Sequence, residues 1–119
     1  MRILVVGSTG LIGKHVAEAL IAYGDVIGVS RTTEISVDVK DSASIKKMYE
    51  KVGKVNHVVS CIGKVTFKPT NEISYDEYAT SLGDKALGQV ELVRAGINHV
   101  LDNGSFTLMT TMTSRAIGP

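Results

Sequence analysis

Gly7, Gly10 and Gly13 follow the apolar run at residues 3–6 with the spacing G-x-x-G-x-x-G, and only Ser8, Thr9, Leu11 and Ile12 stand between them. No ionisable side chain interrupts this stretch, so its chemistry is that of the backbone. A glycine turns the chain off a strand end without a Cβ clash. The N–H groups and dipole at a following helix N-terminus favour an anion. In a dinucleotide-binding turn the first glycine makes the turn, the second admits the pyrophosphate, and the third lets the helix pack close to the sheet. Residues 7–13 are therefore predicted to cradle a dinucleotide, with Gly7, Ser8, Thr9, Gly10, Leu11, Ile12 and Gly13 as the binding set. A plain strand–helix turn is the competing reading. A strand directly before the glycines and an amphipathic helix directly after them are the context that the motif demands.

The elements that would position this turn alternate along the chain. Residues 2–6 read as a strand and 11–23 as a helix, with Ile12, Val16, Ala19, Leu20 and Tyr23 as its apolar face and Gly24 as its stop. Strands follow at 25–29 and 35–39. A helix at 42–52 carries Ile45, Met48, Tyr49 and Val52 on one stripe, started by Asp41 or Ser42 and ended by Gly53. A strand at 57–62 ends at Gly63, and a loop containing Pro69 leads to a helical region at 75–101. Gly83 and Gly88 divide that region into two helices, the second with Val90, Val93, Ile97, Val100 and Leu101 on one face and Asn103-Gly104 at its end. The last strand is predicted at 105–110. This alternation implies right-handed crossovers and an α/β fold: a doubly wound, Rossmann-type parallel sheet of about five strands with helices on both faces. Ligands of such sheets lie beyond the C-terminal strand ends. That directs attention to residues 7–13, 30–33, 38–39, 61–63 and 110–114.

Length and composition bound the rest. A chain of 119 residues is one domain, residues 1–119. Lys and Arg number 13 against 12 Asp and Glu, so no field draws the chain to nucleic acid or to an anionic membrane. Cys61 is the single cysteine, which excludes an internal disulfide and suits a reducing cytoplasm. The N-terminus enters a strand at once, without room for a signal peptide, and no apolar run approaches a membrane span. His15, His57 and His99 are too dispersed for a metal site and read as surface or packing residues. Cys61, with no histidine as its sequence neighbour, reads as a small apolar filler more than as a nucleophile.

The second strand should end beside the adenosine ribose, where NAD-binding domains place an acid. Here it ends Val29-Ser30-Arg31-Thr32-Thr33. Arg31 can pair with a 2′-phosphate while Ser30, Thr32 or Thr33 donates to it, which favours NADP over NAD. The alternative is a solvated Arg31, with Glu34 binding the ribose.

With these elements in place the chain resembles the short-chain dehydrogenase/reductase family over nearly its whole length, most closely a small bacterial branch with Lys-x-x-Gly-Gln in the central helix, here residues 85–89. Gly7, Gly10 and Gly13 match its nucleotide motif. The resemblance implies that Asp38-Val39 meets the adenine and that Cys61-Ile62-Gly63, where the family carries Asn-Ala-Gly, lines the adenine ribose. It places Thr111 at the family's catalytic serine, with Thr110 and Ser114 as alternatives, and Lys85 at the helix asparagine. The family's Tyr-x-x-x-Lys pair lies after the fifth strand and has no counterpart before Pro119, and the C-terminal strands of the family fold are absent too, so the chain reads as a truncated form. The function implied is an NADP(H)-dependent oxidoreductase acting on a small molecule, the alternative a non-catalytic NADP(H)-binding module or redox-responsive regulator. Self-association is expected through the open edge of the last strand and through the central helix, whose second face carries Leu87 and Ala95.

Overall fold

The computed structural model of the chain describes residues 1–62, 72, 74–81 and 86–109. Its elements are β1 (Arg2–Val6), α1 (Leu11–Leu20), a 3₁₀ turn (Ile21–Tyr23), β2 (Asp25–Val29), α2 (Ser42–Val52), β3 (Val55–Ser60), α3 (Tyr75–Ser81), α4 (Gly88–Gly96) and β4 (Val100–Thr107). The described strands form one sheet in the order β2-β1-β3-β4. All three pairings are parallel, so the C-terminal ends of the strands share one edge.

The core lies between the sheet and the pair α2 and α4. Leu4, Val6, Val29 and Val58 meet Ile45, Met48, Tyr49 and Val52 of α2 and Leu92 of α4. The stripe predicted on α2 is the stripe that is buried. Its start is capped by Asp41, which accepts from Ala43 N at 3.0 Å, and its end by Gly53 at φ 80°, whose N–H donates to Tyr49 O at 2.9 Å. Tyr49 joins the two helices: its hydroxyl donates to Leu92 O at 2.7 Å and its ring stacks on His99 with centroids 5.2 Å apart. Gly96 lies directly against that ring, where a Cβ would collide with it.

Two helices present other faces than their periodicity suggested. On α1 the packed side is Gly13, Val16, Ala17 and Leu20, whereas Ile12, Ala19 and Tyr23 are exposed. Gly13 decides this, because the helix lies directly against the Gly7–Ser8 turn, where no side chain fits. On α4 the inward side is Gly88, Gln89, Leu92, Ala95 and Gly96, and Val90 and Ile97 face outward. Ala95 thus belongs to the core side, and the exposed face carries Leu87 instead. Small residues let α4 sit close to Tyr49, and that contact outweighs burial of the bulkier valines.

Two strands also differ from expectation. Residues 35–39 form no strand, only a parallel bridge between Ser30 and Ser36. Hydroxyls take backbone groups that a ladder would use: Thr33 Oγ1 lies 2.7 Å from Ile35 O, and Asp38 N donates to Ser44 Oγ at 2.8 Å. Local side-chain bonds of this kind compete with sheet pairing. Val37 is nevertheless buried against the core. The last strand starts early, so Val100 and Leu101 belong to β4 and not to the helix. Asn103-Gly104 marks a bulge: β4 takes five residue steps, from Val100 to Ser105, where β3 takes two, from Val55 to His57. Asn103 absorbs the excess at φ 66°, in the left-handed region that asparagine tolerates. Strand β3 itself is shifted two residues toward the N-terminus of its predicted span, with Val55 N bonded to His99 O at 2.9 Å.

Candidate functional site: a cleft at the C-terminal strand edge

The turn after β1 is held from both sides. Gly7 N and Ser8 N donate to the same carbonyl, Val29 O at the end of β2, at 2.8 and 3.2 Å. Gly7 has φ 85°, and a Cβ there would lie 2.8 Å from Cys61 O at the end of β3. Gly10 N returns to Gly7 O at 3.2 Å and closes the turn. Helix α1 then begins, with Gly10 in extended conformation at its N-cap. The amides of Leu11, Ile12 and Gly13 have no acceptor within the helix, as at any helix start, so this end carries the positive pole of the helix dipole. Gly13 is buried beneath the Gly7 carbonyl, which a Cβ would strike.

A cleft of about 290 Å³ opens beside this turn. It brings together Gly7, Thr9, Gly10, Ser30, Arg31, Thr32, Asp38, Val39, Cys61 and Ile62, ten of the positions singled out from sequence. Ser8, Leu11, Ile12 and Gly13 do not line it. The Ser8 hydroxyl turns to the other side, where a Cβ on Gly28 would lie 2.7 Å from it. The side chains of Leu11 and Ile12 are exposed, leaving these two with a backbone role only. Gly63, Lys85 and Thr111 lie outside the described residues, as do Thr110 and Ser114.

The rim of the cleft carries two cations and one acid. Arg31 stands two residues past the end of β2, and Glu34, the alternative named from sequence, is exposed and lies outside the cleft. Asp38 is fixed at the rim by Lys40 N, which donates to Oδ1 at 3.0 Å. Thr33 is committed to its own loop, its hydroxyl lying 3.2 Å from Ser30 O and 2.7 Å from Ile35 O, so it has no proton left for a ligand. Cys61 donates its N–H to Val6 O, and burial pushes its thiol above the usual range. The thiolate is the reactive form of cysteine, so this shift works against reaction at Cys61.

Val6, Val37 and Lys40 also line the cleft and were missed from sequence. Val37 was legible as the buried member of the alternation 35–39. Lys40 had a signal in its place directly after Asp38-Val39. The histidines stand apart. His57 Nδ1 lies 2.7 Å from Ser105 Oγ, His99 stacks on Tyr49, and His15 is exposed.

Comparison with known proteins agrees with this geometry. The model of the NAD dependent epimerase/dehydratase family matches residues 3–115. The chain belongs to that family. Among solved structures this NAD dependent epimerase/dehydratase family member is similar to the protein lin1944 from Listeria innocua, at 41% identity and TM-score 0.83 over 89% of this chain and 54% of that one. A small-chain dehydrogenase is 24% identical with TM-score 0.81, covering 91% of this chain and 52% of that one. A small-chain dehydrogenase in complex with NADPH is 22% identical with TM-score 0.80, covering 89% and 48%. No curated protein matches the sequence. The chain spans about half the length of these solved relatives. It thus has the Rossmann-type fold of that family, and none of its described helices is long and apolar enough to cross a membrane.

Proposed function

We propose that this chain belongs to an NADP(H)-dependent oxidoreductase of the short-chain dehydrogenase/reductase type, with the cleft as the adenosine end of its cofactor site. The observation that carries the reading is Arg31 on the rim at the end of β2, with Glu34 outside the cleft. A guanidinium there favours a 2′-phosphate, and the rim backbone and Asp38 remain for the ribose and adenine. Residues 7–13 fit the pyrophosphate, because Gly7 and Gly13 let the turn close tightly on the sheet and on α1, which leaves the first amides of α1 facing the turn. When bound, the nicotinamide would supply hydride transfer, and this chain's residues would bind and orient it. The test is calorimetric titration of NADP and NAD into the wild type and Arg31→Ala. Wild type should prefer NADP, and the variant should lose about 10- to 150-fold in NADP affinity, the worth of a charge-assisted hydrogen bond. Equal affinities in wild type, or an indifferent variant, would remove the assignment.

A non-catalytic NADP(H)-binding module is the second reading. Its observation is the commitment of Tyr49 to the core. Tyr49, the largest fully buried side chain, has its hydroxyl bonded to Leu92 O and is no proton donor to a substrate. An NADPH-oxidation screen over small carbonyl compounds separates the readings, since a positioned general acid is worth about 10²–10⁴-fold. The lone Cys61 fits a cytoplasmic setting. Self-association is part of the same reading: β4 is an edge of the described sheet, and Leu87, Val90 and Ile97 are more than half exposed around α4.

A further inference from the structure

Gln89 is a buried polar side chain, only 7% exposed, on the inward face of α4. Its amide pairs with one backbone residue twice: Nε2 donates to Met109 O at 2.9 Å, and Met109 N donates to Oε1 at 2.9 Å. Met109 stands two residues past the end of β4. A primary amide has both a donor and an acceptor in one plane. It can therefore stand in for a neighbouring strand, extending the pairing of β4 beyond its last ladder residue. A glutamine buried without such partners would be strongly disfavoured, so the arrangement holds the exit of β4 against the start of α4.

We propose that Gln89 is a positioning residue for the far half of the dinucleotide: by fixing the backbone at Leu108–Met109, it sets where the nicotinamide end crosses the sheet. The inference rests on the NADP(H) reading above. The adenosine cleft lies at the ends of β1 and β2 and at Cys61-Ile62 after β3. Strands of a sheet are spaced by about 4.8 Å, so the span from β2 to β4 is about 14 Å. A ligand anchored at β2 and extending along the C-terminal edge passes over β3 and then reaches the exit of β4. The residue holding that exit acts on one end of the ligand only. Gln89 touches none of the adenosine cleft, which makes the two ends separable by experiment.

The test compares a whole and a partial ligand on one set of proteins. NADPH spans both ends, whereas adenosine 2′,5′-bisphosphate fills only the adenosine end. Gln89→Met keeps the length of the side chain and removes both bonds. Gln89→Glu keeps the acceptor for Met109 N and removes the donor, and it is read in the same way where the methionine variant fails to fold. Each variant should bind NADPH about tenfold more weakly than wild type while binding the bisphosphate within about twofold, the scale of one or two lost hydrogen bonds. Amide exchange should quicken at Met109 and stay slow at Val58 and Val59 in the sheet centre. An unchanged ratio of the two affinities would overturn the positioning role, and so would an equal loss for both ligands, which reports general damage to the fold. Failure of wild type to bind either ligand would instead remove the NADP(H) reading on which the role depends.

Discussion

Replacing Gly13 by alanine sets local propensity against tertiary packing. Gly13 lies inside α1, where alanine is favoured over glycine by about 1 kcal/mol. Propensity alone therefore predicts a more stable protein. The packing predicts the reverse, because the new Cβ would strike Gly7 O and would also lie 2.8 Å from Gly7 C and 3.2 Å from Ser8 Cα. All of these are backbone atoms and cannot swing aside. Gly7 is itself pinned, with its N–H on Val29 O at 2.8 Å and its carbonyl on Gly10 N at 3.2 Å. Relief of the clash breaks those turn bonds at about 1 kcal/mol each and adds an overpacking penalty of about 1–3 kcal/mol. After the helix-propensity gain, a net loss of about 2–4 kcal/mol remains. Near its midpoint a 119-residue domain has an unfolding entropy of about 250 cal/mol/K, so Tm should fall by about 8–16 °C. Thermal unfolding followed by circular dichroism is the assay, with Gly10→Ala as the control. At Gly10 the nearest neighbour of a Cβ would be Gly7 O at 3.5 Å, an ordinary contact, and the backbone is extended. The control should therefore change stability by less than about 1 kcal/mol. Equal stability for the two variants would refute the claim that the third glycine is required by contact with the turn.

Three other outcomes are expected. The Tyr49 hydroxyl is pushed up by burial, so the folded chain keeps its proton where the unfolded chain releases it near the ordinary value of 10.0. Stability should be fully present below about pH 10 and should fall as pH rises beyond it, and Tyr49→Phe should flatten that decline in denaturant titrations at pH 9–11 while losing about 0.5–1.5 kcal/mol at neutral pH. Gly96→Ala should lower the urea midpoint by the equivalent of about 1–3 kcal/mol, because its Cβ meets the Tyr49 ring and lies 3.0 Å from Phe106 Cε1. Val90→Glu, at an outward position of α4 that is 60% exposed, should leave Tm within about 2 °C yet reduce concentration-dependent association in sedimentation velocity. A wild type that stays monomeric at every concentration would count against the association.

The glycine spacing, the strand before it and the α2 stripe settled much from sequence. A left-handed Gly7, a buried Gly13 and the inward set Ile45, Met48, Tyr49 and Val52 are all local demands, met within a turn or two of chain. The parallel sheet followed from the alternation of elements, and Arg31 after β2 was visible as a residue type in a place. Which face α4 buries was not local. Its valines gave the stronger apolar signal, yet Gly96 and Ala95 face inward because Tyr49, 43 residues before Leu92, needs the space and the carbonyl. Residues 35–39 have strand composition, but the Thr33 and Ser44 hydroxyls take Ile35 O and Asp38 N, and only a bridge between Ser30 and Ser36 remains. Asn103-Gly104 was a true turn signal of ambiguous kind. Only the register of β4 on β3 made it a bulge within a strand and not the end of a helix. Lys40 and Gln89 acquired their places in the same way, from chain brought beside them across the edge of the sheet: periodicity reports which residues lie on one face of an element, and the tertiary fold decides what that face meets.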